Sequence, residues 1–309
     1  MPLQQLVEYF NQRFVEEQNL SCPPLNFRED RVEGECDGLW FGSILQPVHA
    51  HSDTTRIIAL DASLQVLETP KPLGFFPDLV SAVRGGSLHD TVSALSRWGG
   101  PDLSDHRVIH LDRLSRTVHM LNFLVFSHEV RSLFLHVHPR HVLAVDKEHG
   151  AYFEEIILRC GLSTRRIVIT LPVTQTYGGL LPLLLNRLRN YRDRGYATAL
   201  KFEACFNRQR YPELLEQFTP DFVRFDWATL QTESVRNPSS LKATMRMLDR
   251  LRGRDTLILV EGIQTATDAE QVERLRPDAV QGQYYREADH SLLVQQAHGW
   301  RSHSHYGEI

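Results

Sequence analysis

Polar side chains stand directly after two short apolar runs near the end of the chain. Leu257 to Val260 is followed by Glu261-Gly262, and Ala279-Val280 is followed by Gln281-Gly282. Each pattern predicts a buried strand that carries a polar side chain to its carboxyl end, where the chain turns. Barrel enzymes present their chemistry at such strand ends. The spacing therefore predicts that Glu261 and Gln281 meet at the mouth of a barrel.

Length and composition agree with a single barrel of ordinary size. The 309 residues are 42% hydrophobic and 23% charged, which is enough to bury a full-sized core. The net charge of −4 supplies no global basic field, so nucleic acid is an unlikely partner. Widely spaced cysteines without a CxxC pair indicate a reducing compartment. No apolar run is long enough to span a membrane, so we expect a cytoplasmic protein without membrane insertion.

Apolar periodicity predicts the elements that position the strand ends. The predicted helices are 3–17, one beginning at Leu111 and running to Phe126, 152–160, 180–195, 241–251 and 268–275, with one or two more within 70–101. The predicted strands are 39–48, 55–60, 132–137, 166–171, 197–202, 221–226, 257–260 and 279–280. A polar hairpin at 49–54 joins the first two strands, and Ser21 to Pro24 is predicted to be a linker.

Four phrases in the sequence resemble the EAL domain family, the bacterial cyclic di-GMP phosphodiesterases. Residues 260–265 (VEGIQT) resemble the family's AEGVET, and residues 281–285 (QGQYY) resemble QGYYF. Residues 220–226 (PDFVRFD) resemble PDFVKID, and residues 46–48 resemble the end of YQPI. The resemblance runs roughly from Leu39 to Ala288 in the family's motif order. It implies an α/β fold, a TIM-like (β/α)8 barrel of the EAL type with an extra N-terminal helix.

The same resemblance implies how the chain is divided. Residues 1–37 are expected to form an N-terminal helical extension and linker. Residues 38–298 are expected to form the EAL-like barrel, and residues 299–309 a flexible tail.

The family's functional positions can be carried over one by one. Asp61 falls where the family has its metal-binding glutamate, and Gln65 where an arginine contacts the nucleotide phosphate. His136 replaces a metal-binding asparagine, and Thr170 a metal-binding glutamate. The family's paired aspartates become Lys201 and Phe202, and the lysine near the attacking water becomes Arg224. Asp226, Glu261 and Gln281 are unchanged.

These substitutions predict that phosphodiesterase activity is lost. Two-metal hydrolysis needs two dications about 4 Å apart. Asp61 is one methylene shorter than the glutamate it replaces, Thr170 brings no charge, and Gln65 lacks the charged fork of arginine. Lys201 would repel a dication, and we expect it to pair instead with Glu261 or Asp226. No metal or other cofactor is therefore predicted.

The leading hypothesis is a catalytically inactive, EAL-like regulatory protein of cyclic di-GMP-related signalling that acts by binding a partner protein. Exposed apolar surface on the N-terminal helix or around Cys205-Phe206 would mark the partner's site. A homodimer is also possible. The basic face of helix 180–195 is expected to be solvated rather than to contact nucleic acid.

Two alternatives stay open. A metal-independent cyclic di-GMP receptor would gather phosphates with Lys201, Arg224 and Arg286. A phosphodiesterase with a rearranged metal site would use Asp61, His136, Asp226 and Glu261. Alternate residues of one strand share a face, so His136, His138 and His141 also allow a metal interpretation. Ordinary packing and hydrogen bonding is the preferred interpretation of these histidines.

Overall fold

Ten strands form one sheet in the part of the chain that the structure describes. The computed structural model describes residues 2–18, 22–68, 104–145, 150–202, 211–236 and 246–285. The strands are β1 (Leu25–Arg28), β2 (Arg31–Cys36), β3 (Leu39–Ala50), β4 (Asp53–Glu68), β5 (Ser132–His136), β6 (Ile167–Val173), β7 (Ala197–Phe202), β8 (Phe222–Asp226), β9 (Leu257–Glu261) and β10 (Ala279–Val280).

Helices surround this sheet. They are α1 (Leu3–Gln18), α2 (Asp105–Phe123), α3 (Pro139–Ala144), α4 (Ala151–Arg159), α5 (Leu181–Asp193), α6 (Tyr211–Gln217), α7 (Trp227–Arg236) and α8 (Ala266–Glu273), and residues 246–252 are also helical. Among the described residues, no helix combines the length and apolar character that crossing a bilayer requires.

Strands β3 to β10 close into an eight-stranded barrel, which confirms the predicted TIM-like architecture. The order around the barrel is β3-β10-β9-β8-β7-β6-β5-β4, and β4 pairs back to β3. The pairs from β4 to β10 are parallel, whereas β3 is antiparallel to both of its neighbours. The reversal follows from the predicted hairpin, because only two residues separate β3 from β4.

An apolar layer fills the interior of the barrel, with residues from all eight strands. Its members are Val48, Ala59, Phe134, Val168, Ala199, Leu259 and Ala279, together with the partly buried Phe222. Side chains alternate across a strand, so the residue two positions further along points to the same side. On seven strands the next inward position lies two residues later, and on the reversed strand β3 it lies two residues earlier.

The N-terminal helix packs its apolar stripe against the rest of the fold. Leu6, Val7, Phe10 and Phe14 are buried. The side chain of Asn11 accepts from the amide of Leu25 and donates to its carbonyl, both at 2.8 Å, which ties α1 to β1. The apolar face of α1 is thus covered by the chain's own core.

Two strands lie in the stretch that was expected to be extension and linker. β1 pairs with β2 and β2 pairs with β3, so the sheet continues beyond the barrel. In β2 only Val32, Gly34 and Cys36 face inward, between charged residues. This short, charged alternation gives a weak apolar signal, which explains why the sequence did not reveal the strand.

The predicted start of the second helix was wrong. Helix α2 begins at Asp105 rather than at Leu111, with Ser104 as its N-cap: the Ser104 side chain accepts from the amide of Arg107. The resemblance drew attention to Leu111, whereas the start signal is the serine that precedes the acidic first turn. The predicted helices within 70–101, the Cys205-Phe206 patch and the tail 299–309 fall outside the described residues.

The basic face of α5 is not simply solvated, which corrects that expectation. Arg187 donates to the carbonyls of Val142 and Leu143. Arg192 donates to the carbonyl of Thr219, and Arg194 forms an ion pair with Glu154 at 2.8 Å. These arginines bind neighbouring elements of the fold.

Candidate functional site

A layer of polar side chains covers the apolar interior at the barrel mouth. Each strand contributes the residue two positions beyond its apolar member, or two positions before it on β3. The layer consists of Gln46, Asp61, His136, Thr170, Lys201, Arg224, Glu261 and Gln281. Seven of these were predicted site residues, and the structure brings all seven together. The eighth member is Gln46, which was quoted in the sequence analysis only because residues 46–48 resemble a family phrase.

Arg224 occupies the centre of this layer. It is fully buried on β8, and its guanidinium forms a two-pronged contact with Asp61, Nη1 to Oδ1 at 2.8 Å and Nη2 to Oδ2 at 2.6 Å. Its Nε and Nη2 also donate to Oε2 of Glu261, at 3.0 Å and 2.6 Å. Bidentate, charge-assisted bonds of this kind are among the strongest in proteins. One side chain therefore joins β4, β8 and β9.

Lys201 completes the neutralisation of Glu261. Its ammonium lies 2.6 Å from Oε1 of Glu261, so the predicted pairing of Lys201 with Glu261 is confirmed. The Lys201 side chain is 26% exposed, whereas the Arg224 side chain is inaccessible to solvent. Two carboxylates and two cations thus form a closed network of zero formal charge.

Neighbouring groups fill the remaining positions around the guanidinium. Nε2 of His136 lies 3.3 Å from Oδ1 of Asp61. Arg224 Nη1 reaches the hydroxyl of Thr170 at 3.5 Å, and the guanidinium carbon lies 5.2 Å from the ring centre of Phe134 in the apolar layer. Arg224 therefore also contacts β5 and β6, in addition to β4 and β9.

The electrostatics keep both acids ionised. Burial alone would raise the pKa of Glu261, but the charges of Arg224 and Lys201 outweigh it and lower that pKa to about 2. Burial likewise opposes ionisation of Asp61, yet Arg224 and His136 hold the pKa of that carboxyl well below its usual range. The same carboxylates raise the pKa of Arg224, although its burial acts in the opposite direction.

Asp226 lies at the rim of the layer, two residues after the inward-facing Arg224 on β8. Its Oδ1 accepts from the amide and the hydroxyl of Thr229, at 2.8 Å and 2.9 Å, so it caps α7. Gly262, with φ of +79°, lies beside it, and a Cβ there would be 2.7 Å from Asp226 Oδ2. A side chain at position 262 would crowd the carboxylate.

A cavity of about 260 Å³ opens above the layer. Its lining includes Asp61, His136, Lys201, Asp226, Glu261 and four glutamines, Gln46, Gln264, Gln281 and Gln283, with Ser63 beside them. Sequence reasoning missed Ser63, Gln264 and Gln283 as cavity residues. Ser63 shares the strand face of Asp61, so the two-residue alternation is a signal that would have found it.

Two predicted site residues belong neither to the polar layer nor to the cavity lining. Phe202 is buried and stacks on Phe225 with ring centres 5.4 Å apart, so it belongs to the core outside the barrel mouth. Gln65 lies four residues beyond Asp61 on β4, paired with Gly42, and is half-buried. Side chains alternate between the two sides of β7. Because Phe202 directly follows the inward-facing Lys201, its side chain must point away from the barrel interior.

The three histidines have separate partners. His136 contacts Asp61, whereas the His138 side chain accepts from the amide of Arg140 at 3.1 Å. His141 pairs with Asp112, a buried carboxylate that also binds Arg116 at 2.5 Å. Across the described ranges, no three His, Cys, Asp or Glu side chains converge as a metal-binding group.

A divalent metal does not fit this arrangement. The carboxylates of Asp61 and Glu261 both bind the guanidinium of Arg224, so their negative charge is already neutralised by a cation of the chain itself. A dication there would have to displace a buried arginine and approach the ammonium of Lys201.

The fold is similar to solved structures of EAL proteins at low sequence identity. BlrP1 of Klebsiella pneumoniae in its manganese and cyclic di-GMP complex matches with a TM-score of 0.56 and 15% identity, over 79% of this chain and 54% of that chain. A standalone EAL protein of Vibrio cholerae in its c-di-GMP-bound form matches with a TM-score of 0.56 and 14% identity, over 80% and 91%. The EAL enzyme Bd1971, bound to cAMP and cyclic di-GMP, matches with a TM-score of 0.51 and 16% identity, over 92% and 66%.

These likenesses establish the EAL-like barrel fold. The matched region spans about half of the BlrP1 chain. No protein-family model matches the sequence, and the comparison with curated proteins found no match.

Proposed function

We propose that this chain is a catalytically inactive, EAL-like regulatory protein of cyclic di-GMP-related signalling, and that it acts by binding a partner protein. The observation that carries the proposal is the position of Arg224. Its guanidinium takes up the carboxylates of Asp61 and Glu261 in the centre of the barrel mouth.

The internal cations leave little reason for a metal ion to bind. A hard dication is held by several negatively charged oxygens. Here both oxygens of Asp61 bind Arg224, and the oxygens of Glu261 are divided between Arg224 and Lys201. Without a metal pair, the route to an activated water and a stabilised leaving oxygen is lost.

A hydrolysis assay tests this proposal. Purified protein is incubated with cyclic di-GMP and manganese or magnesium, and the linear product is quantified by chromatography. We expect no turnover above buffer. Turnover that disappears in Glu261→Gln would instead support the rearranged hydrolase that uses Asp61, His136, Asp226 and Glu261. The variant's folding is checked by denaturation, so that a loss of fold is not mistaken for a loss of chemistry.

A metal-independent cyclic di-GMP receptor is the second candidate. It is favoured by the partly exposed ammonium of Lys201 at the cavity of about 260 Å³. Against it, Arg224 is buried and committed to two carboxylates, so it cannot gather phosphate. Arg286 lies outside the described residues.

Calorimetric titration with cyclic di-GMP separates the two candidates. The titration is run once with magnesium and once with chelator. Micromolar binding that survives chelator would support the receptor, whereas no heat in either buffer agrees with the partner-binding regulator.

Partner binding is tested separately. Tagged full-length protein and a variant with a disrupted cavity rim, Asp226→Asn, are used to capture proteins from the native cell extract. A specific partner that the wild type retains and the variant loses would support the proposal. A chain that hydrolyses cyclic di-GMP would contradict it, whatever it captures.

A further inference from the structure

We propose that the cavity at the barrel mouth receives the guanidinium group of one arginine side chain, presented by the partner protein. The inference rests on the proposed function, because it names the chemistry by which the partner would be recognised. It follows from the charge, the free acceptors and the size of the cavity.

Counted over the residues that the structure describes, the charge of the mouth is negative once the internal pairs are included. Asp61, Glu261 and Asp226 contribute three formal negative charges, and Arg224 and Lys201 contribute two positive charges. The first two carboxylates are neutralised by the two cations. The remaining negative charge belongs to Asp226, so a monovalent cation complements the mouth and a phosphate does not.

Asp226 has an oxygen available for such a ligand. Its Oδ1 is used by Thr229, but within the described part of the chain no donor contacts Oδ2. Asp226 lines the cavity, and the adjacent Gly262 carries no side chain to cover it. The carboxylate is therefore held in place by its capping bonds while one oxygen stays accessible.

The other groups around the cavity are also rich in acceptors. Gln264 and Gln283 are exposed at the rim, and each brings a carboxamide oxygen. His136 lies beside them in the cavity lining and is 7% exposed. A guanidinium, with five N–H donors and no acceptor, suits this set of groups.

The size of the cavity favours a side chain over a larger molecule. Its volume of about 260 Å³ lies just below the range of roughly 300–1,000 Å³ for pockets that enclose drug-sized ligands. The barrel already holds one guanidinium in this way, because Arg224 is bound by two carboxylates, one from β4 and one from β9. A second guanidinium bound by Asp226 would repeat this pairing of arginine with carboxylate two residues further along β8, nearer the surface.

The test uses a pair of matched probes. Nα-acetyl-arginine methylamide and the neutral isostere Nα-acetyl-citrulline methylamide are titrated into the full-length protein, and binding is followed by NMR shifts of the glutamine side-chain amides. We expect the arginine probe to bind about two- to fivefold more tightly, the value of one partly exposed charge pair. Asp226→Asn should remove this preference, because the amide can still cap α7 but carries no charge.

Asp249→Asn is the matched control, because Asp249 is an exposed carboxylate paired with Arg252 away from the cavity lining. This variant should keep the full preference for the arginine probe. Equal binding of the two probes, or an unchanged preference in Asp226→Asn, would overturn the inference. The hydrolysis assay is independent of this result, so a failure here leaves the inactive regulator standing, and turnover there would overturn the regulator itself.

Discussion

Arg224 decides, at the scale of single residues, what the barrel mouth can do. It is the largest fully buried side chain in the described structure, and it satisfies its guanidinium with two acids. An ion pair of this kind is expensive to bury, but removing one partner costs about 3–5 kcal/mol because the other charges stay buried and unpaired.

Arg224→Met should therefore lower the free energy of unfolding by about 3–5 kcal/mol. Lys201→Met removes a partly exposed partner of Glu261, so its loss should be clearly smaller, about 1 kcal/mol. Urea denaturation of the two variants measures both. Equal losses, or a silent Arg224→Met, would show that the guanidinium does not hold the acids together.

His119, one of the buried histidines of α2, makes stability depend on pH. Burial, with a smaller contribution from nearby His136, lowers the pKa of His119 to about 3, and its Nδ1 lies 2.7 Å from the hydroxyl of Ser43. The folded pKa lies below the unfolded value of about 6.5. Stability is then fully present above pH 6.5 and is lost as the pH falls toward 3.

Between pH 6.5 and pH 5 this single histidine should cost about 2 kcal/mol. His119→Asn keeps a hydrogen-bonding group near Ser43 but does not titrate, so its loss over the same interval should be smaller by that amount. Denaturation at pH 7 and pH 5 measures the difference. Identical pH dependence in both proteins would show that His119 is not held neutral.

At the scale of elements, one glycine allows two turns at the barrel mouth to lie in close contact. A Cβ on Gly282 would lie 1.9 Å from the carbonyl oxygen and 2.5 Å from the nitrogen of Ile263. Both atoms belong to the backbone after β9, so neither can move aside as a flexible side chain would.

Gly282→Ala should thus destabilise the protein by more than about 3 kcal/mol, because the turns after β9 and β10 must separate. Gly179→Ala is the control, since a Cβ there meets nothing within 4 Å, and its effect should stay within about 0.5 kcal/mol. Thermal or urea unfolding distinguishes them. Similar stabilities for the two variants would contradict the close approach.

Arginines also tie the elements together from outside the barrel. The chain has 34 lysine and arginine residues, and only Lys71, Lys147, Lys201 and Lys242 are lysines. Arg166 shows what arginine provides: Nε donates to the carbonyl of Arg131, and Nη2 donates to the carbonyls of Ser127 and Val130. The planar fork of Arg166, just before β6, reaches three carbonyls that precede β5.

Arg166→Lys should lower stability by about 1–3 kcal/mol, because one ammonium cannot replace three directed bonds. The neighbouring Arg165 is exposed, so Arg165→Lys should change stability by less than about 0.5 kcal/mol. Both are compared by urea denaturation. Equal free energies of unfolding for Arg166→Lys and Arg165→Lys would show that the guanidinium bonds of Arg166 do not stabilise the fold.

At the scale of the whole molecule, the sequence predicted the barrel because its strands are continuous apolar runs. The runs ending at Glu261 and Val280 were found in this way, and the strand order followed from the resemblance. β2 was missed because its inward residues alternate with charges, and the start of α2 because attention went to Leu111 instead of Ser104. In both cases the signal that identifies the element is only two or three residues long.

The site was predictable in its members but not in its organisation. The resemblance marked Asp61, Arg224 and Glu261, and in the receptor alternative Arg224 was available to a phosphate at the mouth. Instead, the barrel brings Asp61 within 2.6 Å of an arginine 163 positions away in sequence. A contact of that separation depends on closure of the whole barrel, and no local pattern specifies it.

A manganese titration tests the central claim most directly, with free Mn²⁺ followed by its electron paramagnetic resonance signal. If Arg224 and Lys201 occupy the acids of the mouth, the signal should rise in proportion from the first addition, as it does in buffer. Loss of signal equivalent to one or two manganese ions per chain, restored by Glu261→Gln, would show that the acids are free to bind metal and would contradict the account.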